Sequence, residues 1–156
     1  MKRICIALDT SPSAEKIATL GFEYAKALKA KLVLVHVVSD AAEYAIDFDP
    51  IMDYSGSLIQ QNIGLVDDFK TEAGKFLKST ANFLGEPEIE IKVLEGEPDY
   101  EILKFLKEWK ADLLIMGTHS HSIIENVLMG NTAVRIVKHS TTPILIVPIK
   151  KAEKTS

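Results

Sequence analysis

The chain has 156 residues, of which 47% are hydrophobic and 26% are charged, and its formal net charge at pH 7 is −4. This size and composition predict one globular domain with a sizeable core over residues 1–150, followed by a polar tail at 151–156. The mildly acidic balance offers no basic surface for nucleic acid or an anionic membrane, so we expect neither as a partner.

Two features of the chain indicate where the protein works. The first apolar run ends at Asp9, which is too short for a signal-peptide core, and no run approaches transmembrane length. The single cysteine, Cys5, lies inside that run, where a small buried hydrophobe is the simplest interpretation. One cysteine allows no internal disulfide, which agrees with a reducing compartment, and we expect a cytoplasmic protein.

The first forty residues have the pattern of a strand, a helix and a second strand. Residues 4–8 form a continuous apolar run that predicts a strand buried on both faces, and a turn rich in helix-capping residues follows at 9–13. Residues 31–38 are apolar and β-branched apart from His36, so we expect parallel strands joined by a right-handed crossover. The helix between them should run to about residue 29, with one face made of Ala14, Ile17, Ala18, Gly21, Ala25 and Leu28.

Residues 39–57 break the alternation of strands and helices. This connection carries several acidic residues and no lysine or arginine, with aromatic residues between them. A solvated or partly disordered loop is the plain interpretation. The alternative is a flap over a ligand site or a dimer contact, because long connections are often functional.

The second half of the chain repeats the alternation. Residues 58–83 predict a long helix, and residues 89–93 alternate apolar and charged side chains, as in a strand at a sheet edge. A turn at 96–99 leads into a third helix, whose inner face we predict to be Ile102, Leu103, Leu106 and Trp109. A fourth strand at 112–116, a helix from Gly130 to about His139 and a fifth strand at 144–148 follow. The inward face predicted for that last helix is Ala133, Val134 and Val137.

The order of the predicted elements indicates the fold class. Five strands alternating with four helices predict an α/β protein with an open, doubly wound, five-stranded parallel sheet and helices on both faces, a Rossmann-like arrangement. Ligands of such sheets bind beyond the carboxyl ends of the strands, where the strand order reverses. The first strand is usually central, so we expect the turns at Asp9 and Gly117 to be neighbours.

A glycine-containing stretch after the fourth strand carries the functional signal. The apolar run at residues 113–116 ends abruptly at Gly117, and Gly130 lies at the start of the last predicted helix. A strand, a glycine turn and a helix start are the parts of many phosphate sites. The spacing of Gly117, Ser120 and Gly130 resembles the loop of nucleotide-binding universal stress proteins, which have Gly, two residues, Gly, nine residues, then Gly and Ser or Thr. The resemblance extends over nearly the whole chain, through residues 7–9, 34–37, 116–119, 130–133 and 143–148.

The resemblance implies a cytoplasmic homodimer with an adenine nucleotide α-hydrolase-like core, acting as a regulatory stress-response module. Some members of the family bind ATP or AMP, often with Mg²⁺ or Mn²⁺, and others bind no nucleotide. Position by position, it implies binding residues Ala7, Leu8 and Asp9 near the adenosine, Val37 at the adenine, Met116 and Gly117 at the base and ribose, and His119, Ser120, Gly130, Asn131 and Thr132 around the phosphates. The dimer contact would be the last strand, Ile144, Leu145, Ile146 and Val147.

Two positions depart from the binding pattern of the family. Ser120 replaces the second glycine, and Asn131 replaces the Ser or Thr after the third. Where the backbone needs a positive φ, serine costs about 1 kcal/mol relative to glycine. Ser120 supplies a hydroxyl donor, however, and Asn131 keeps a side-chain donor and is a favoured N-cap residue. We therefore expect an anion site that binds nucleotide.

Other interpretations of the same residues stay open. Asp9 could cap the following helix, Gly117 and Gly130 could serve only as turn residues, and His36 is most simply a hydrogen-bonded core histidine. His119 and His121 have no neighbouring acid or cysteine in sequence, so we predict no metal site there, and no catalytic residue is assigned.

Three functions remain in competition at this point. The first is a regulatory ATP- or AMP-binding module, and the second is a dimeric stress protein that binds no nucleotide and acts through protein contacts. The third is a slow ATP hydrolase. The sequence has neither a P-loop nor a glycine pair after the first strand, and both would favour hydrolysis.

Overall fold

The computed structural model describes residues 1–39, 57–118 and 129–149, with residues 57–65 described by their backbone alone. Within these ranges the strands are β1 (Arg3–Ala7), β2 (Lys31–Val38), β3 (Glu90–Glu95), β4 (Leu113–Gly117) and β5 (Ile144–Val147). The helices are α1 (Ala14–Ala27), α2 (Ser57–Phe83), α3 (Pro98–Trp109) and α4 (Asn131–His139). Nearly all of the acidic connection at 39–57, and the tail at 151–156, lie outside the described residues. The division into one domain and a tail stays a prediction.

The strands form one parallel sheet in the order β3-β2-β1-β4-β5. Cys5 at the centre of β1 lies beside Val33 on β2 and Leu114 on β4. The chain moves outward from β1 in both directions, so the order reverses between β1 and β4. The predicted doubly wound α/β sheet is confirmed, and so is the edge position predicted for the third strand.

Helices cover both faces of the sheet. Ile4 and Ile6 of β1 face an apolar cluster with α1 and α2, whereas Cys5 faces a second cluster with α3 and α4. All three residues are fully buried, which explains why this strand reads as a continuous apolar run rather than an alternating one. No helix within the described ranges has both the length and the apolar character that crossing a bilayer requires.

Helix α1 lies close to the sheet because its inner face carries small residues. A Cβ atom on Gly21 would lie 2.9 Å from Cγ1 of Ile6 and 3.5 Å from Cδ1 of Ile115. The predicted face is buried from Ala14 to Ala25, but Leu28 lies beyond the end of the helix and is 51% exposed. Glycine at position 21 therefore sets the distance between α1 and strands β1 and β4.

The inward face of α4 differs from the prediction. Its buried residues are Ala133 and Ile136, whereas Val137 is 46% exposed and Val134 is half-buried. Burying the larger isoleucine removes more apolar area from water than burying Val137 would, so the helix is rotated to place Ile136 against the sheet. The prediction missed Phe105 on α3 for a similar reason: this residue is buried beside Leu106, while Leu103 is only half-buried.

Cys5 is a free, fully buried cysteine in the middle of the sheet. Burial raises the pKa of its thiol well above the usual range because the surroundings cannot solvate a thiolate. Since the thiolate is the reactive form, Cys5 serves as a small packing residue, as predicted.

Candidate functional site

A cleft opens at the carboxyl ends of β1, β2 and β4, where the strand order reverses. The described residues give it a volume of about 320 Å³, at the lower end of the range of roughly 300–1,000 Å³ for small-molecule sites. The strands and their turns contribute Ala7, Leu8, Asp9, Val35, His36, Val37, Ser39, Met116, Gly117 and Thr118, and the helices and their starts contribute Ile17, Glu97, Pro98, Ile102, Gly130, Thr132, Ala133, Arg135 and Ile136.

Most of the site residues taken from the sequence line this one cleft. They are Ala7, Leu8, Asp9, Val37, Met116, Gly117, Gly130 and Thr132. Asn131 is exposed and does not line it. His119 and Ser120 lie outside the described residues.

The N-cap residue of α4 is Gly130, and Asn131, although of a type favoured at N-caps, follows it. Gly130 has extended backbone angles, and its carbonyl accepts the first helical bond, from N–H of Val134 at 3.0 Å. Asn131 is thus the first helical residue. Because the cap residue has no side chain, it offers no oxygen to the first-turn N–H groups of α4. These groups begin at the edge of the cleft, where Gly130 and Thr132 line it.

Asp9 organises the turn after β1. One carboxylate oxygen, Oδ1, accepts a hydrogen bond from N–H of Ser11 at 2.9 Å, which is an Asx turn. The N-cap of α1 is Ser13, which makes no side-chain capping bond. Asp9 is therefore not the cap of α1, and its carboxylate lines the cleft from a turn that it stabilises itself.

His36 joins the carboxyl ends of β1 and β2. Its Nδ1 lies 2.7 Å from the carbonyl oxygen of Leu8, and its ring meets Phe76 edge-on, with 6.2 Å between ring centroids. A carbonyl can only accept, so Nδ1 carries the proton in this contact. The predicted hydrogen-bonded core histidine is confirmed, and it also forms part of the cleft wall beside Val37.

Thr118 connects three segments at the base of the glycine loop. Its hydroxyl accepts a hydrogen bond from N–H of Ile149 at 3.0 Å, and its own N–H donates to the carbonyl of Val147 at 3.2 Å. Its carbonyl accepts from N–H of Gly130 at 2.8 Å. The end of β4, the start of α4 and the segment after β5 are thereby held together. This buried threonine lies in the stretch that resembles the family but was not among the predicted site residues.

Gly117 is required by packing rather than by an unusual φ. A Cβ atom there would meet the side chains of Ile149 and Ile17, at 2.7 Å from Cδ1 of Ile17. The absence of a side chain at position 117 therefore lets the end of β4 pass beneath α1. A larger side chain at 117 would disturb this packing as well as any ligand.

The turn between β3 and α3 brings a further wall to the cleft. Gly96 has a φ of +135°, a conformation that side chains rarely allow, and its N–H donates to the carbonyl of Val38 at 2.9 Å. This bond fixes the start of α3 beside the end of β2, where Glu97 and Pro98 line the cleft. The sequence predicted the turn but not its contribution to the site.

Charged side chains are unevenly distributed around the cleft. The charged residues that line it are Asp9, Glu97 and Arg135, and Nη1 of Arg135 lies 3.9 Å from Oδ1 of Asp99. Sequence reasoning missed Arg135. The available signal was its spacing of three residues from Thr132, which places both on one face of α4. Within the described residues, no three histidine, cysteine or acidic side chains cluster as metal ligands.

Comparison with known proteins gives a consistent result. A sequence model of the Universal stress protein family matches residues 1–148 of this chain. A universal stress protein of Methanocaldococcus jannaschii is 29% identical over 152 residues, which are 97% of this chain and 85% of that relative.

Solved structures with the same fold include two nucleotide complexes. The universal stress protein from Archaeoglobus fulgidus in complex with dAMP aligns with a TM-score of 0.57 at 16% identity, covering 94% of this chain and 97% of that one. A universal stress protein in complex with cAMP aligns with a TM-score of 0.58 at 23% identity, covering 94% of this chain and 95% of that one. At these identities the alignments establish a shared fold.

Proposed function

Because this chain belongs to the universal stress protein family, we propose that it is a regulatory stress-response protein that binds ATP or AMP in the cleft at the switch point of the sheet. The observation that carries the proposal is the convergence of Asp9, Val37, Met116 and Gly130 on one cleft from four separate segments. Two family members of the same fold were solved with dAMP and with cAMP, which supports an adenine nucleotide as the ligand class.

The two ends of the cleft suit the two ends of a nucleotide. Val37 and Met116 offer apolar surface and strand-end backbone for a base, and Asp9 offers a carboxylate to ribose hydroxyls. Gly130 and Thr132 offer the first-turn N–H groups of α4 and a hydroxyl to phosphate. In this proposal Mg²⁺ or Mn²⁺ enters the cleft only together with the nucleotide, since such ions commonly bind through phosphate oxygens and keep several waters. A cytoplasmic location, where adenine nucleotides are available, belongs to the same proposal.

Calorimetric titration of AMP and of ATP with Mg²⁺ tests this function. We expect saturable binding to the parent protein and a loss of affinity of about tenfold or more in Thr132→Glu, because a carboxylate would then face the phosphate. A glutamate in the first turn suits the helix dipole, so α4 should stay folded in this variant.

Asn131→Glu is the matched comparison, since it adds the same charge at an exposed position outside the cleft. It should weaken binding less than Thr132→Glu does. If neither nucleotide binds the parent at millimolar concentration, the nucleotide proposal is wrong and a protein-contact function takes its place. Release of phosphate from ATP that Asp9→Ala slows would instead favour the slow hydrolase.

We further propose that the protein is a homodimer through β5. In the described sheet β5 lies at an edge, and Ile144, Leu145 and Ile146 are half-buried and apolar. The opposite edge strand, β3, carries exposed charged residues such as Glu90 and Lys92 that discourage pairing. An apolar edge strand is a favourable surface for a second copy.

Sedimentation velocity at micromolar concentration should show a dimer. Among the described residues, Ile146 belongs to neither main apolar cluster, so Ile146→Lys should spare the core and shift the protein to monomer by burying a charge at the contact. Thr141→Lys adds the same charge at an exposed position before the strand and should stay dimeric. A monomeric parent protein would refute the proposal.

A further inference from the structure

We propose that Arg135 is the residue that makes this cleft select phosphorylated nucleosides over uncharged ones. The proposal rests on the nucleotide-binding function above and assigns a specific role to a side chain that the glycine-loop pattern does not include. Among the described residues that line the cleft, Arg135 carries the only permanent positive charge.

The position of Arg135 on α4 directs it toward the expected phosphate. Side chains on a helix lean toward its N-terminus, so an arginine at position 135 can reach back over the turn that contains Thr132. Both residues line the cleft, and they lie three apart on the same helical face. A guanidinium there would add two directed N–H donors to the backbone N–H groups at the start of the helix.

The present partner of Arg135 holds it only weakly. Its Nη1 lies 3.9 Å from Oδ1 of Asp99, beyond hydrogen-bond distance, and the arginine side chain is 57% exposed. Exposed ion pairs of this kind contribute little to stability. The guanidinium can therefore leave Asp99 for a phosphate without a large loss, and Asp99 keeps it near the cleft in the free protein.

The other charged residues that line the cleft are acidic, so the position of Arg135 decides where a phosphate can bind. Asp9 and Glu97 place carboxylates on the β1 side and the α3 side of the cleft. Both repel a phosphate that approaches them without a cation. The α4 side, with Arg135 and the helix start, is where an anionic group is favoured, and this side fixes which way a nucleotide lies.

Titration with three ligands of increasing negative charge tests the proposal. Adenosine is neutral, cAMP carries one negative charge, and AMP carries nearly two at pH 7 because its second phosphate pKa is about 6. We expect Arg135→Gln to weaken AMP binding by about tenfold, cAMP binding by less and adenosine binding hardly at all, as for the loss of a charge-assisted hydrogen bond. Arg135→Lys should recover part of the affinity for AMP.

Two control variants separate this role from general effects of charge or folding. Lys138→Gln removes one positive charge from the exposed face of the same helix and should change AMP affinity much less than Arg135→Gln. Asp99→Asn frees the guanidinium and should hold or raise AMP affinity. Equal losses for adenosine and AMP in Arg135→Gln would show a structural role and overturn the proposal, as would an unchanged AMP affinity. A parent protein that binds none of the three ligands would instead refute the nucleotide function itself.

Discussion

Replacing Gly21 with alanine is expected to lower the free energy of unfolding by about 1–3 kcal/mol, the usual range for overpacking a well-filled core. The new Cβ would lie 2.9 Å from Cγ1 of Ile6, which is fully buried. Helix α1 would have to move away from β1 and β4, the two strands that flank the switch point. Thermal or denaturant unfolding measures the change, at about 2–4 °C of melting temperature per kcal/mol in a chain of this size.

Gly74→Ala is the matched control for this substitution. Gly74 also lies inside a helix, α2, but an added Cβ would meet none of its described neighbours within 4 Å. Alanine there should raise the free energy of unfolding by about 0.5–1 kcal/mol through helix propensity alone. Opposite signs for the two variants are therefore expected. A Gly21→Ala protein as stable as the parent would show that α1 does not lie as close to the sheet as described.

Thr118→Val should destabilise the protein by about 1–3 kcal/mol, because the part-buried N–H of Ile149 would lose its acceptor while the volume of the side chain is kept. The effect on local hydrogen exchange should be larger than the effect on global stability. Hydrogen exchange at the amide of Ile149 should become faster in the variant, since this bond ties the segment after β5 to the end of β4.

Thr118→Ser separates the hydroxyl from the methyl group. Serine keeps an acceptor for Ile149, so the exchange of that amide should stay slow. Its own cost is the loss of one buried methyl group, about 0.8 kcal/mol. If valine and serine at 118 give the same exchange rate at Ile149, the hydroxyl is not what holds the C-terminal segment.

Much of the fold follows from sequence patterns that report burial directly. Strand β1 reads as a continuous apolar run because Cys5 faces one helix layer and Ile4 and Ile6 face the other. The edge strand β3 alternates charged and apolar residues because one of its faces is exposed to water. The rotation of α4 could not be predicted this way, since Ile136 and Val137 are adjacent apolar residues and only contact with the sheet selects between them.

The candidate site was predictable where one segment contributes its own residues and not where distant segments meet. Gly117 and Gly130 mark a loop that is visible in sequence. Arg135 reaches the cleft from the second turn of α4, and its spacing from Thr132 is the one local sign of this. Glu97 reaches the cleft from the β3–α3 turn, and no local pattern assigns it to the site. Asp9 shows a different difficulty. In an Asx turn and in a helix cap alike, the side-chain oxygen of an aspartate accepts a hydrogen bond from a backbone N–H, so the residue type does not distinguish the two.

The hydrogen bond from N–H of Gly130 to the carbonyl of Thr118 is made by main-chain atoms alone. It therefore joins the end of β4 to the start of α4 whatever side chains the cleft carries. Cleft side chains such as Thr132 and Arg135 are where evolution or an engineer could change what the protein recognises while leaving its sheet untouched.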